Sequence, residues 1–124
     1  MKEFDYIILG GGCAGLTLAY ELDISKKLEN KRLAIVEIRQ KYERDKTWSF
    51  WKITDHNFED CVLKSWNNFS INSKLGSHEV INMEYPYQTI DSGLFYKKIL
   101  NQLKQNKNIE FFKNTDQLNL DNSI

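Results

Sequence analysis

The 124 residues include only one proline, two cysteines and two histidines, with no surplus of either charge and no long apolar run. Each scarcity excludes something. Cys13 and Cys61 lie 48 positions apart and form neither a C-x-x-C pair nor a small disulfide framework, which points to a reducing compartment. His56 and His78 show no metal-ligand spacing and are expected to be solvated surface side chains, so no metal site is expected. Seventeen Lys and Arg balance seventeen Asp and Glu, leaving no global field to draw the chain onto nucleic acid or an anionic bilayer. Nucleic acid is therefore not an expected partner. No apolar run approaches the roughly 18 residues of a membrane-spanning helix, and the amino terminus enters a strand pattern at once, without a signal-peptide core. A cytoplasmic location is the expectation.

What is there is a globular composition, 41% apolar and 13% aromatic, which excludes disorder throughout. The length is that of one domain and supports a single core. Residues 4–9 (FDYIIL) are a short β-rich run ending in three glycines, as a buried parallel strand ends. From Cys13 onward Ala14, Leu18 and Leu22, with Gly15, Leu16 and Ala19, predict a helical face that lasts to the polar residues 23–31. Residues 32–37 (RLAIVE) form a second apolar run closed by an acid. Strand, helix and strand make a βαβ unit with a right-handed crossover.

Residues 38–46 are a charged loop, and irregular backbone is expected on through the aromatic patch at 48–51 to residue 60. Residues 61–71 and 79–85 predict two strands joined by a turn within 72–77. Asp91 or Ser92 can cap a helix whose apolar face is Leu94, Phe95, Ile99, Leu100 and Leu103, ending at 106–108. Lys97, Lys98 and residues 104–107 fall on its wet side. Residues 109–112 (IEFF) predict a third parallel strand, and 114–124 contain no recognisable closing element.

Gly10-Gly11-Gly12-Cys13-Ala14-Gly15 fits G-x-G-x-x-G. Gly10 permits a tight turn out of the strand, Gly12 lets backbone approach a pyrophosphate, and Gly15 allows close helix-to-strand packing. Unpaired N–H groups and the positive dipole end of the helix then suit two phosphate charges without a lysine. The hexapeptide alone is a common glycine turn. Its place between strand and helix, and Glu37 at the end of the second strand, add weight. Glu37 can accept hydrogen bonds from a ribose and would repel the extra phosphate of NADP.

Cys13 sits where a thiol can be activated, but no His or Cys partner is close in sequence and a small residue is needed beside phosphates, so a redox role is set aside. Cys61 reads as core. Glu59 and Asp60 are adjacent, hence point apart, and are expected in a solvated loop rather than in acid-base work.

Residues 45–51 (DKTWSFW), following the GGGCAG bend and the strand-ending Glu37, resemble the lycopene β-cyclase family. Trp66, Tyr85-Pro86-Tyr87 and Leu94-Phe95-Tyr96 are similar to that family in order and spacing, so the resemblance spans nearly the whole chain. It implies an α/β fold with a Rossmann-like FAD-binding βαβ unit, a parallel sheet and an inserted β-hairpin. Residues 1–124 would be the incomplete amino-terminal part of a longer FAD-binding domain. The cofactor-binding set is Gly10, Gly11, Gly12, Cys13, Ala14, Gly15 and Glu37, with Thr47 and Trp48 near the flavin.

The implied reaction is a non-redox cyclisation of the ends of lycopene to β-ionone rings, with FAD acting in its reduced form; NAD(P)H is one candidate electron donor among those the sequence leaves open. A carotenoid partner and peripheral membrane contact follow, because the substrate lives in lipid. Catalytic residues are not assigned: family members are several-fold longer, and their proton-handling residues fall beyond residue 124. An FAD-dependent monooxygenase or reductase of the same fold, and a catalytically inert fragment, are the alternatives.

Overall fold

A computed structural model describes residues 2–120. Its elements in chain order are β1 (Tyr6–Leu9), α1 (Cys13–Ile24), β2 (Leu33–Val36), β3 (Thr47–Trp51), β4 (Val62–Trp66), β5 (Asn68–Ser73), β6 (Gly76–Ile81), β7 (Tyr87–Asp91), α2 (Ser92–Leu103) and β8 (Ile109–Phe112). The fold is mixed α/β and divides into two compact units, residues 2–42 with 97–120, and residues 43–96.

In the first unit β1, β2 and β8 form a parallel sheet in that order, in register at Tyr6, Leu33 and Ile109. The central strand, flanked on both edges, buries Leu33, Ala34 and Ile35 completely, which is why it reads as a continuous apolar run. The βαβ unit and the third parallel strand thus stand as the sequence predicts. Of the predicted face of α1, Leu16 and Ala19 are buried and Tyr20 joins them, whereas Leu18 is 51% exposed. Gly15 sets which side faces the strand, since a Cβ there would meet the Gly10 carbonyl oxygen at 1.9 Å and Ile8 at 3.0 Å. The helix turns its glycine to the strand, and the positions beside it become the core face. At the far end of α1, Asp23 accepts hydrogen bonds from Gln102 at 3.0 Å and Asn106 at 2.7 Å.

Residues 114–120 differ from expectation. Leu118 is buried and bridges Lys2, and the Asn119 amide donates to the Lys2 carbonyl at 2.7 Å. The tail closes onto the amino-terminal segment through backbone bonds that no local pattern announces. Residues 121–124 lie outside the described residues.

The second unit holds an antiparallel sheet, β3-β7-β4, and a separate hairpin, β5-β6. The aromatic patch expected to be irregular is strand β3, with Trp48 opposite Ile90 and Phe50 opposite Gln88. Its alternation of Trp48 and Phe50 with Thr47, Ser49 and Trp51 is a period-2 pattern whose partner lies about 40 positions on, so proximity in sequence does not reveal it. The run 61–71 is two strands, broken at Asn67, whose side chain donates to the Asn82 carbonyl. The first, β4, pairs with β7, and only the second enters the hairpin. The hairpin partner is β6 at 76–81 rather than 79–85, because Gly76, at φ +135°, closes the turn earlier. Strand β7 was not expected.

Asp91 is the cap of α2: its Oδ1 accepts the Leu94 amide at 3.0 Å, and Arg44 Nη2 pairs with its Oδ2 at 2.8 Å. Cys61 is buried as predicted. His56 is not a solvated histidine. Its side chain is 18% exposed, Nδ1 accepts the Phe58 amide at 3.1 Å, and Nε2 lies 2.9 Å from Gln88 Oε1.

Candidate functional site

Three glycines connect β1 to α1 and a fourth lies in the first turn of the helix, each with its own reason. The Gly10 amide donates to the Val36 carbonyl at 2.9 Å, completing the ladder, and its φ of +106° then turns the chain, a conformation that costs glycine little. Gly11 has no room for a side chain, since a Cβ would lie 2.3 Å from the Tyr42 hydroxyl and 3.0 Å from the Glu37 Cβ. Gly15 is required by the approach to β1 described above.

Gly12 has neither reason. Its φ of −88° and ψ of −160° are open to any residue, and a Cβ built on it meets no protein atom within 4 Å. It is the N-cap of α1, no side chain caps the helix, and the first turn has no acid. Main-chain donors at such an end are suited to an anion.

Glu37 follows the last residue of β2 and its carboxylate reaches back to the bend. Oε2 accepts the Gly11 amide at 2.9 Å and Oε1 accepts the Arg39 amide at 2.9 Å. Arg39 Nε stands 3.5 Å from Oε2. The Arg39 amide, ahead of the Gly11 amide and the Arg39 charge, holds the Glu37 carboxyl below its ordinary value against the opposing effect of burial. The side chain is an anion at neutral pH and still has lone pairs to offer.

Cys13, the first residue of α1, is half-buried, and burial pushes its thiol up, against a smaller opposing pull from the Thr17 hydroxyl. That is the reverse of an activated cysteine. Ala14 is exposed beside it.

Gly10 through Gly15 and Glu37 are therefore brought together in the first unit. Thr47 and Trp48 belong to the second, where Thr47 opens β3 opposite Asp91. The Trp48 indole packs edge-on against Phe95 at 4.9 Å and Tyr96 at 5.6 Å between ring centres. Two residues belong to no site motif in the sequence, both in the charged segment 38–46. Tyr42 donates its hydroxyl hydrogen to the Gly11 carbonyl at 2.7 Å, and the Arg39 guanidinium lies 4.7 Å from the centre of the Tyr42 ring. The available signal was Tyr42 itself, an isolated aromatic among charges five residues after Glu37.

Fold and bend together define a mixed α/β protein whose glycine turn leads from a parallel strand into a helix and faces a strand-end carboxylate. The family model described as lycopene cyclase protein matches residues 5–117. The chain belongs to the lycopene cyclase family. A search of the curated proteins gave no match.

Proposed function

We propose that this chain binds FAD through a Rossmann-type bend and serves the non-redox cyclisation of lycopene ends to β-ionone rings. The observation that carries the cofactor reading is Gly12, a glycine required by neither backbone conformation nor internal packing, at an uncapped helix start beside an ionised Glu37. The space a methyl group would occupy there suits a diphosphate, held by main-chain amides and the helix dipole. Glu37 Oε1 and Oε2 would accept the ribose hydroxyls, and their charge would disfavour a 2′-phosphate. Gly10, Gly11 and Gly15 shape the bend, while Cys13 and Ala14 supply small side chains at its rim.

Reduced flavin, when bound, would supply an electron-rich ring that stabilises positive charge on the polyene. Thr47 and Trp48 are read as flavin-proximal from the family resemblance. The family supports carotenoid cyclisation broadly. Ring closure adds a proton at one alkene carbon and loses one from another, so the product is an isomer. Because lycopene is a hydrocarbon dissolved in lipid, the protein is read as cytoplasmic and working at a membrane surface.

The test is to supply lycopene in liposomes to the protein with FAD and a reductant, and to analyse the product by chromatography and mass. An isomer of unchanged mass, formed with reductant needed only catalytically, is expected. Oxygenated or reduced product with stoichiometric NADH consumption would favour a monooxygenase or reductase instead.

A further inference from the structure

Both hydrogen-bonding groups of Gly11 are held by side chains from the segment after β2: Glu37 takes its N–H and Tyr42 its carbonyl. The carbonyl belongs to the peptide that joins Gly11 to Gly12. That peptide is planar and trans, so its N–H, on Gly12, points opposite to the oxygen that Tyr42 holds. A Cβ built on Gly12 meets no protein atom within 4 Å, so the space beside that residue is open. Gly11, in turn, is matched to Tyr42, whose hydroxyl occupies the place of a side chain at that position. The Arg39 guanidinium over the Tyr42 ring, and the Lys113 ammonium on the Arg39 carbonyl, fix the segment from which Tyr42 reaches.

We propose that Tyr42 is a positioning residue for the dinucleotide: by holding the Gly11 carbonyl, its hydroxyl turns the Gly12 amide outward as a donor to the diphosphate. Tyr42 acts through the bend and is not assigned a contact with the ligand. The inference rests on the dinucleotide reading above and adds a residue that the glycine pattern does not contain.

Tyr42→Phe removes the hydroxyl and keeps the ring under Arg39. Affinities of the wild-type protein and this variant are measured for FAD, ADP and adenosine. Losing one oriented donor is expected to weaken FAD and ADP alike, by roughly three- to tenfold, and to leave adenosine, which has no phosphate, unchanged. The ratio of ADP to adenosine affinity does not depend on how much variant is folded, so it separates positioning from general loosening.

Unchanged FAD affinity in Tyr42→Phe would overturn the proposal, as would an equal loss for adenosine. A Tyr42→Leu variant that weakens binding while Tyr42→Phe does not would assign the effect to the ring and overturn it too. Failure of the wild-type protein to bind FAD or ADP at all would instead sink the dinucleotide reading.

Discussion

Gly12 and Gly15 stand three positions apart and are expected to fail in opposite ways when a methyl group is added. A Cβ on Gly15 would lie 1.9 Å from a backbone oxygen, so strand and helix must separate. Gly15→Ala should destabilise the protein by about 1–3 kcal/mol, measured by chemical denaturation. Gly12→Ala meets open space and should change stability by no more than about 0.5 kcal/mol, its effect appearing in ligand affinity instead. Glu37 makes a second prediction, on pH. Its folded carboxyl titrates below the ordinary value, chiefly through the Arg39 amide, so its stabilising contribution is present above the ordinary carboxylate pKa and is lost as pH falls through the lowered one. The stability difference between wild-type protein and Glu37→Gln should be largest near neutral pH and shrink on acidification. A difference independent of pH would mean that the charge on Glu37 contributes nothing.

Elements whose own residues form an unbroken apolar run or a helical face are legible in the sequence, β8 included although its partner β2 lies far back along the chain. Strands that mix polar with aromatic residues are not. The strand-helix-strand unit reads correctly because β1, the glycine bend and α1 follow one another, and β2 has the unbroken apolar run of a strand covered on both sides. The place of the glycine bend before α1 and of Glu37 after β2 is legible for the same reason. Strand β3 is not legible because its residues alternate half-buried with exposed and form no apolar run, and β7 is not because Gln88 and Thr89, although buried, look polar. Tyr42 was missed since its purpose is visible only once the chain has folded back onto Gly11.

The β5-β6 hairpin makes no ladder with any other described strand, so its stability should be local. Gly76→Ala forces φ near +135° on a residue with a side chain and should cost about 1–3 kcal/mol. In hydrogen exchange, peptides covering 68–81 should lose protection while β1, β2 and β8 keep theirs. Equal loss in both would show that the hairpin and the parallel sheet unfold together.

At the scale of the whole molecule, family membership joins the chain to carotenoid cyclisation broadly. Among the described residues no helix is long and apolar enough to cross a membrane. The zero formal net charge supplies no long-range attraction to anionic lipid. Activity should therefore depend only weakly on the anionic fraction of the liposomes, and a steep dependence would point to a local basic surface instead. All of this depends on whether the bend takes a dinucleotide, and a titration of FAD into wild-type protein and Gly12→Ala, followed by flavin fluorescence, decides that most directly. Stoichiometric binding to the wild type, weakened roughly tenfold or more by the added methyl group, is the expected result. A wild-type protein indifferent to FAD, or a Gly12→Ala variant that binds it equally well, would contradict the assignment of the bend.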